Sequence, residues 1–155
     1  MPDKWPRPIA IGVIANRGRL FVAEGYDAAR GQSFYRPLGG TIEFGETGAE
    51  CLRREFIEEA NAGVAVIRRL GALENIFNHA GKPGHEIVLV FECRFTDRRL
   101  NDAGPIACNE QPADHGPGGV FTALWKPTAE FSADGAPLYP VGLMALVRDC
   151  AVAGI

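Results

Sequence analysis

An α/β (α+β) fold with a mixed central sheet held between helices is predicted by three features of this 155-residue chain. Apolar, β-leaning runs at 9–15, 20–23 and 86–95 read as strands, the last as the centre of a sheet. Apolar residues at helical spacing over 49–60 read as one capped helix. The order of strands, helix, strands and a second helix requires helices packed on a sheet. The length suits a single domain, residues 1–155.

Taken in order, residues 9–15 and 20–23 flank the turn signal Asn16-Arg17-Gly18 and predict a hairpin. Residues 25–32 read as an exposed loop. Phe34, Tyr35 and Leu38 flank Pro37, Gly39-Gly40 breaks the strand, and residues 41–44 alternate as a short strand does. Thr47 with Glu50 three residues on fits a capping box. Ala49, Leu52, Phe56 and Ala60 define the core-facing stripe, and Asn61 and Gly63 are helix terminators. Strands are expected at 64–67, 70–77, 86–95 and 120–125, with a turn-rich connection at 79–84. Residues 97–117 read as a long polar loop, of a length that is usually functional or mobile. A closing helix is expected over 138–153.

Composition excludes several functions. Apolar residues make up 46% and charged residues 23%, as in soluble globular proteins. A net charge of −3 offers no basic field to a nucleic-acid polymer. No apolar run approaches the roughly 18 residues that span a bilayer, and the N-terminus has no signal core, so a cytoplasmic protein with no membrane partner is expected. Cys51, Cys93, Cys108 and Cys150 form no Cys-x-x-Cys pair, which fits reduced thiols better than a zinc or dithiol site.

The segment Gly40–Ala62, GTIEFGETGAECLRREFIEEANA, carries the chemistry. It places Glu55, Glu58 and Glu59 in little more than one helical turn, beyond the first turn that the helix dipole would favour for anions. Like charges at i,i+3 and i,i+4 cost a helix roughly 0.2–0.5 kcal/mol per pair. A divalent cation among the oxygens would turn that cost into a binding site.

The same residues identify the chain as resembling the Nudix family, whose box reads G-x5-E-x7-R-E-U-x-E-E-x-G-U. Gly40, Glu46, Arg54, Glu55, Phe56, Glu58 and Glu59 match it. Asn61 stands where the family has glycine and Ala62 where it has a larger apolar residue. Asn tolerates a left-handed backbone second best, so it can take the glycine's place; Gly63-Val64 is the alternative, as a displaced pair.

The resemblance implies an α/β/α sandwich and a pyrophosphohydrolase that cleaves a nucleoside diphosphate linked to another group, using Mg²⁺ or Mn²⁺. The alternative is a non-catalytic nucleotide-binding or sensor domain. The resemblance also implies that Glu55 and Glu59 are direct metal ligands, that Glu58 ligates directly or through water, and that the Gly39 carbonyl completes the site. Arg54 would orient the glutamates and pair with Glu46; its alternative is a surface pair with Glu50 or Glu58. The general base is left open among Glu55, Glu58, Glu110 and Glu86. Glu74 and Glu86 are expected to bind substrate, and Arg36 is the phosphate contact. His79, His85 and His115 lie in turns and are weaker candidates. Phe34, Tyr35 and Phe77 either stack on a base or pack in the core. Asn78 and Ala80 stand where two substrate subclasses carry proline and tyrosine, so neither subclass is indicated. Family members are often dimers, which admits a homodimer here.

Overall fold

The computed structural model describes residues 5–112, 117–131 and 134–155. In chain order its strands and helices are β1 (Arg7–Val13), β2 (Ala15–Asn16), β3 (Arg19–Asp27), β4 (Gln32–Arg36), β5 (Gly39–Thr41), α1 (Gly48–Ala60), β6 (Val64–His79), β7 (Lys82–Phe95), β8 (Ile106–Glu110), β9 (Gly119–Pro127) and α2 (Leu143–Asp149). They build two sheets. One runs β5-β1-β7-β6 and is mixed, because β1 and β7 are parallel while β5 and β6 pair antiparallel. The other runs β2-β3-β9-β8, with β4 also on β3, and is antiparallel throughout.

Two apolar clusters hold the helices to these sheets. Leu52 and Phe56 of α1 pack with Ala10, Phe21, Phe91, Cys93, Phe95 and Trp125. Leu143 and Val147 of α2 pack with Ile11, Val13, Val22, Val88 and Val90. Strand β7 is thus buried on both faces, which is why its sequence reads as a continuous apolar run. Its alternation sends Phe91, Cys93 and Phe95 toward α1, and Val88 and Val90 toward α2.

Helix α1 begins where the sequence predicts. The Thr47 hydroxyl accepts from the Glu50 amide at 3.2 Å, and the Glu50 carboxylate accepts from the Thr47 amide at 2.8 Å. Such a cap stabilises a helix by about 1 kcal/mol. The helix ends on Asn61 at φ 49°, ψ 39°, a left-handed residue. The Asn61 amide donates to Ile57 O, and the Ala62 amide to Phe56 O at 3.1 Å, so the orphan carbonyls of the last turn are satisfied. Asn61 therefore takes the glycine's place directly. Buried Ala62 supplies the apolar contact that follows.

Several elements differ from expectation. Gly39-Gly40 does not break a strand; it forms β5, opposite Ile11 and Ala10 of β1. A Cβ at Gly39 would collide with the Ala10 carbonyl oxygen, so glycine permits this close pairing rather than ending it. Residues 25–32 extend β3 and β4 around a short turn. Residues 64–79 form one strand, with irregularities at Val66/Arg68 and Arg69/Gly71 that interrupt the apolar pattern and mimic a break. The 79–84 connection shrinks to a tight turn at Ala80-Gly81, both at positive φ. The long loop contains a 3₁₀ turn, Arg98–Asp102, and strand β8. The closing helix is only Leu143–Asp149. Before it, the Tyr35 amide donates to Pro137 O and the Tyr139 amide to Tyr35 O, so residues 137–139 lie alongside β4, and Gly142 sits at φ 91°.

Candidate active site

Cap geometry and β5 together set the position of the acidic residues. Glu55 projects from α1 onto β5, and a Cβ on Gly40 would overlap its carboxylate. Glycine at 40 is thus what lets the acid lie against the strand.

Arg54 organises the cluster. Its Nε and Nη2 donate to the two oxygens of Glu46 at 2.8 and 2.9 Å, a bidentate fork. Its Nη1 donates to Glu55 Oε1 at 2.9 Å and to Glu58 Oε2 at 3.3 Å, and Nη2 also donates to the Thr41 carbonyl at 3.1 Å. Glu43 lies 3.9 Å from the same guanidinium. The surface pairing with Glu50 does not form; Glu50 is spent on the cap. These hydrogen bonds, and the Glu43 amide, hold the Glu46 carboxyl below its usual range, while the acids raise Arg54 above its own.

Glu59 behaves differently. Burial first, then the charge and hydrogen bond of Glu55, push its carboxyl up to about 9; Arg36 opposes this and Glu110 adds to it. A carboxyl drawn out of water beside a like charge favours its neutral form. Glu43, Glu46, Glu55, Glu58, Glu59 and Glu110 meet here against the guanidiniums of Arg54 and Arg36, so the site lacks positive charge.

Whether these residues fit a cation turns on their chemistry. Among the described residues, no three His, Cys, Asp or Glu side chains converge as a complete cage. Mg²⁺ does not need one. It keeps several waters and takes one or two carboxylates plus substrate phosphate. Glu55 and Glu59 supply hard oxygens one helical turn apart, in a site with more acids than guanidiniums.

Arg36 stands exposed at the end of β4, and Glu110 exposed at the end of β8, the strand beside α1. Two other predicted residues lie elsewhere. Glu86 shares the α2-facing side of β7 with Val88 and Val90. It is buried, ion-paired to Arg7, and accepts from Asn75 Nδ2 at 3.0 Å. Glu74 is exposed on edge strand β6, and no hydrogen bond or ion pair among the described residues joins it to the cluster. His85 is exposed on β7, His79 lies 6.5 Å from the Phe34 ring, and His115 falls outside the described residues. Phe34 lies across Gly25 on the Arg36 face of β4, Phe77 lies across Gly84, and Tyr35 turns the other way to donate to Glu24 at 2.7 Å.

Sequence reading missed Cys51 and the Thr41 carbonyl. Cys51 is fully buried beneath β5, its Sγ 3.5 Å from Gly40 O and Thr41 O, and burial with the Glu46 charge pushes its thiol up to about 12. Its place beside Leu52 in the helical period was the available signal. All four cysteines are free. A recess of about 380 Å³ lies away from the glutamates, against α2, lined by Phe131, Leu138, Tyr139 and Met144 among others. Among the described residues no helix is long and apolar enough to cross a membrane.

Comparison with known proteins gives the family and the fold. The family model described as the NUDIX domain matches residues 5–115. A NUDIX hydrolase from Nitrosomonas europaea superimposes with a TM-score of 0.64 at 17% identity, over 94% of this chain and 88% of that one. A UDP-X diphosphatase gives 0.60 at 15%, over 95% of this chain and 63% of that one. A NUDIX-family hydrolase from Clostridium perfringens gives 0.56 at 13%, over 96% and 99%. At these identities the likeness is one of fold, and the family model carries the assignment. The chain belongs to the Nudix family and is a pyrophosphohydrolase.

Proposed function

We propose that this protein is a Mg²⁺- or Mn²⁺-dependent hydrolase of a nucleoside diphosphate linked to a second group. The observation that carries the reading is Glu55 seated against Gly40, with Glu59 one helical turn on and pushed up to about 9 by burial and by its neighbour's charge. A half-buried pair of acids kept at such cost is useful where positive charge arrives with the substrate.

Glu55 and Glu59 would hold the cation, with Glu58 and the Gly39 carbonyl as further donors. The ion, when bound, would neutralise phosphate charge and lower the pKa of the attacking water. Arg54 keeps Glu55 and Glu58 fixed, so their oxygens need no reorganisation when substrate enters. Arg36 would bind a phosphate of the diphosphate by its planar fork. Water attacks one phosphorus, the bridging P–O bond breaks, and the water's proton passes to a carboxylate. Glu58 and Glu110, both exposed, would be the acceptors. The Phe34 ring, on the same strand face as Arg36, offers an apolar surface to the nucleoside.

The test is a hydrolysis screen with Mg²⁺ and with Mn²⁺. It should cover nucleoside triphosphates, ADP-ribose, NADH, dinucleoside polyphosphates and nucleotide sugars; the UDP-X diphosphatase fold neighbour motivates UDP-linked compounds. Turnover that needs the cation, and that Glu55→Gln abolishes without unfolding the protein, is expected. Cation-independent turnover, or full activity in Glu55→Gln, would refute the reading.

A further inference from the structure

The geometry points to a second anion site, for a phosphate group, in a recess of about 260 Å³ formed by Ala65, Arg94, Phe95, Thr96 and Arg98. Arg94 and Arg98 are exposed, and neither makes an ion pair with a described residue. The acids that could neutralise them are already engaged. Glu92, two residues before Arg94 on the same strand face, accepts from Arg68 Nε at 2.6 Å, and Arg68 is itself tied to the Cys150 carbonyl at 2.7 Å. Asp97, beside Arg98, caps the 3₁₀ turn through the Arg99 amide and takes the Arg99 guanidinium at 2.9 Å. Two guanidiniums therefore border one recess with no counter-charge among the described residues.

The lining selects the ligand. Guanidinium forks match the oxygens of phosphate bidentately. Thr96 gives its hydroxyl proton to Gly63 O at 3.2 Å, so the donors facing the recess are the two guanidiniums. The recess is smaller than the roughly 300–1,000 Å³ of sites that enclose a drug-sized ligand, which suits a phosphate group better than a whole nucleotide. Arg94 pairs with Ala65 across β6–β7 on the sheet face away from α1, and none of the glutamates of the acidic cluster lines this recess. A pyrophosphohydrolase releases phosphate-bearing products, and such an anion fits here without entering the active site. The site does not depend on which substrate is cleaved.

Arginine side-chain NMR tests this in the full chain. Sodium orthophosphate and a nucleoside 5′-monophosphate are titrated separately, each against sodium chloride at matched ionic strength. The Nε–Hε signals of Arg94 and Arg98 should shift together along one saturating curve. Arg94→Gln or Arg98→Gln should weaken that binding at least tenfold, while Arg53→Gln, on the exposed side of α1, should leave it unchanged. Saturation by orthophosphate marks free phosphate as the occupant, and saturation by the nucleotide alone marks a phosphate ester. Shifts that chloride reproduces, or binding that survives both substitutions, would overturn the site.

Discussion

Arg54 and Glu46 meet in a two-pronged ion pair, Nε to Oε1 at 2.8 Å and Nη2 to Oε2 at 2.9 Å, and this pair aims the rest of the guanidinium at Glu55 and Glu58. They stand eight positions apart in sequence. The loop from β5 to α1 folds back so that Glu46 reaches the second turn of the helix it precedes.

Replacing Arg54 by lysine keeps the charge and loses the fork. The expected result is a 10–100-fold loss of kcat or of Mn²⁺ affinity, the scale seen when a residue orienting metal ligands is removed. Steady-state kinetics with a Mn²⁺ titration checks it. A variant with wild-type kinetics would show that Arg54 does not orient the glutamates.

Gly40→Ala puts a methyl group where the Glu55 carboxylate lies. The acid must swing aside, and a displacement near 1 Å can cost on the order of 10²-fold in rate. Gly39→Ala meets backbone instead, at the Ala10 carbonyl, and should cost stability first, about 1–3 kcal/mol. Kinetics on the first variant and denaturant midpoints on both distinguish the two.

Glu59 gives the cation-free protein a pH signature. Its folded pKa of about 9 is above the ordinary 4.5, so between those values the folded state holds a proton that the unfolded state has released. Stability from this group is therefore full below about 4.5, falls as pH rises, and levels off above about 9. Thermal melts without divalent cations should show that decline, and Glu59→Gln should flatten it. Adding Mg²⁺ should stabilise more at high pH, because cation and proton compete for one site.

Asn61 holds a left-handed backbone, so Asn61→Gly should leave stability within about 1 kcal/mol, while Asn61→Ala should cost about 1–2 kcal/mol. Urea midpoints check both. Retained stability in the alanine variant would mean that the helix end can rearrange.

Much of this was legible in sequence because it is local. The capping box, the acidic triplet and the Asn61 terminus each depend on residues within a few positions, where spacing fixes geometry. What escaped was tertiary. Glu86 looked available at the start of a strand, but pairing with β1 brings Arg7 to it across 79 residues, and alternation turns it from α1. The glycines at 39 and 40 read as a break because their short-range propensity says so; only the approach of Ala10 and Glu55 shows why no Cβ fits. Helix α2 proved short because residues 137–139 run beside β4, a contact that local pattern does not carry.

Isothermal titration of Mn²⁺ into the wild type and into Glu55→Gln and Glu59→Gln, in parallel with melts of each, tests the central claim most directly. The account predicts binding by the wild type that rises with pH, and loss of at least tenfold in affinity in each variant with the fold intact. Equal Mn²⁺ affinity in all three proteins would contradict it.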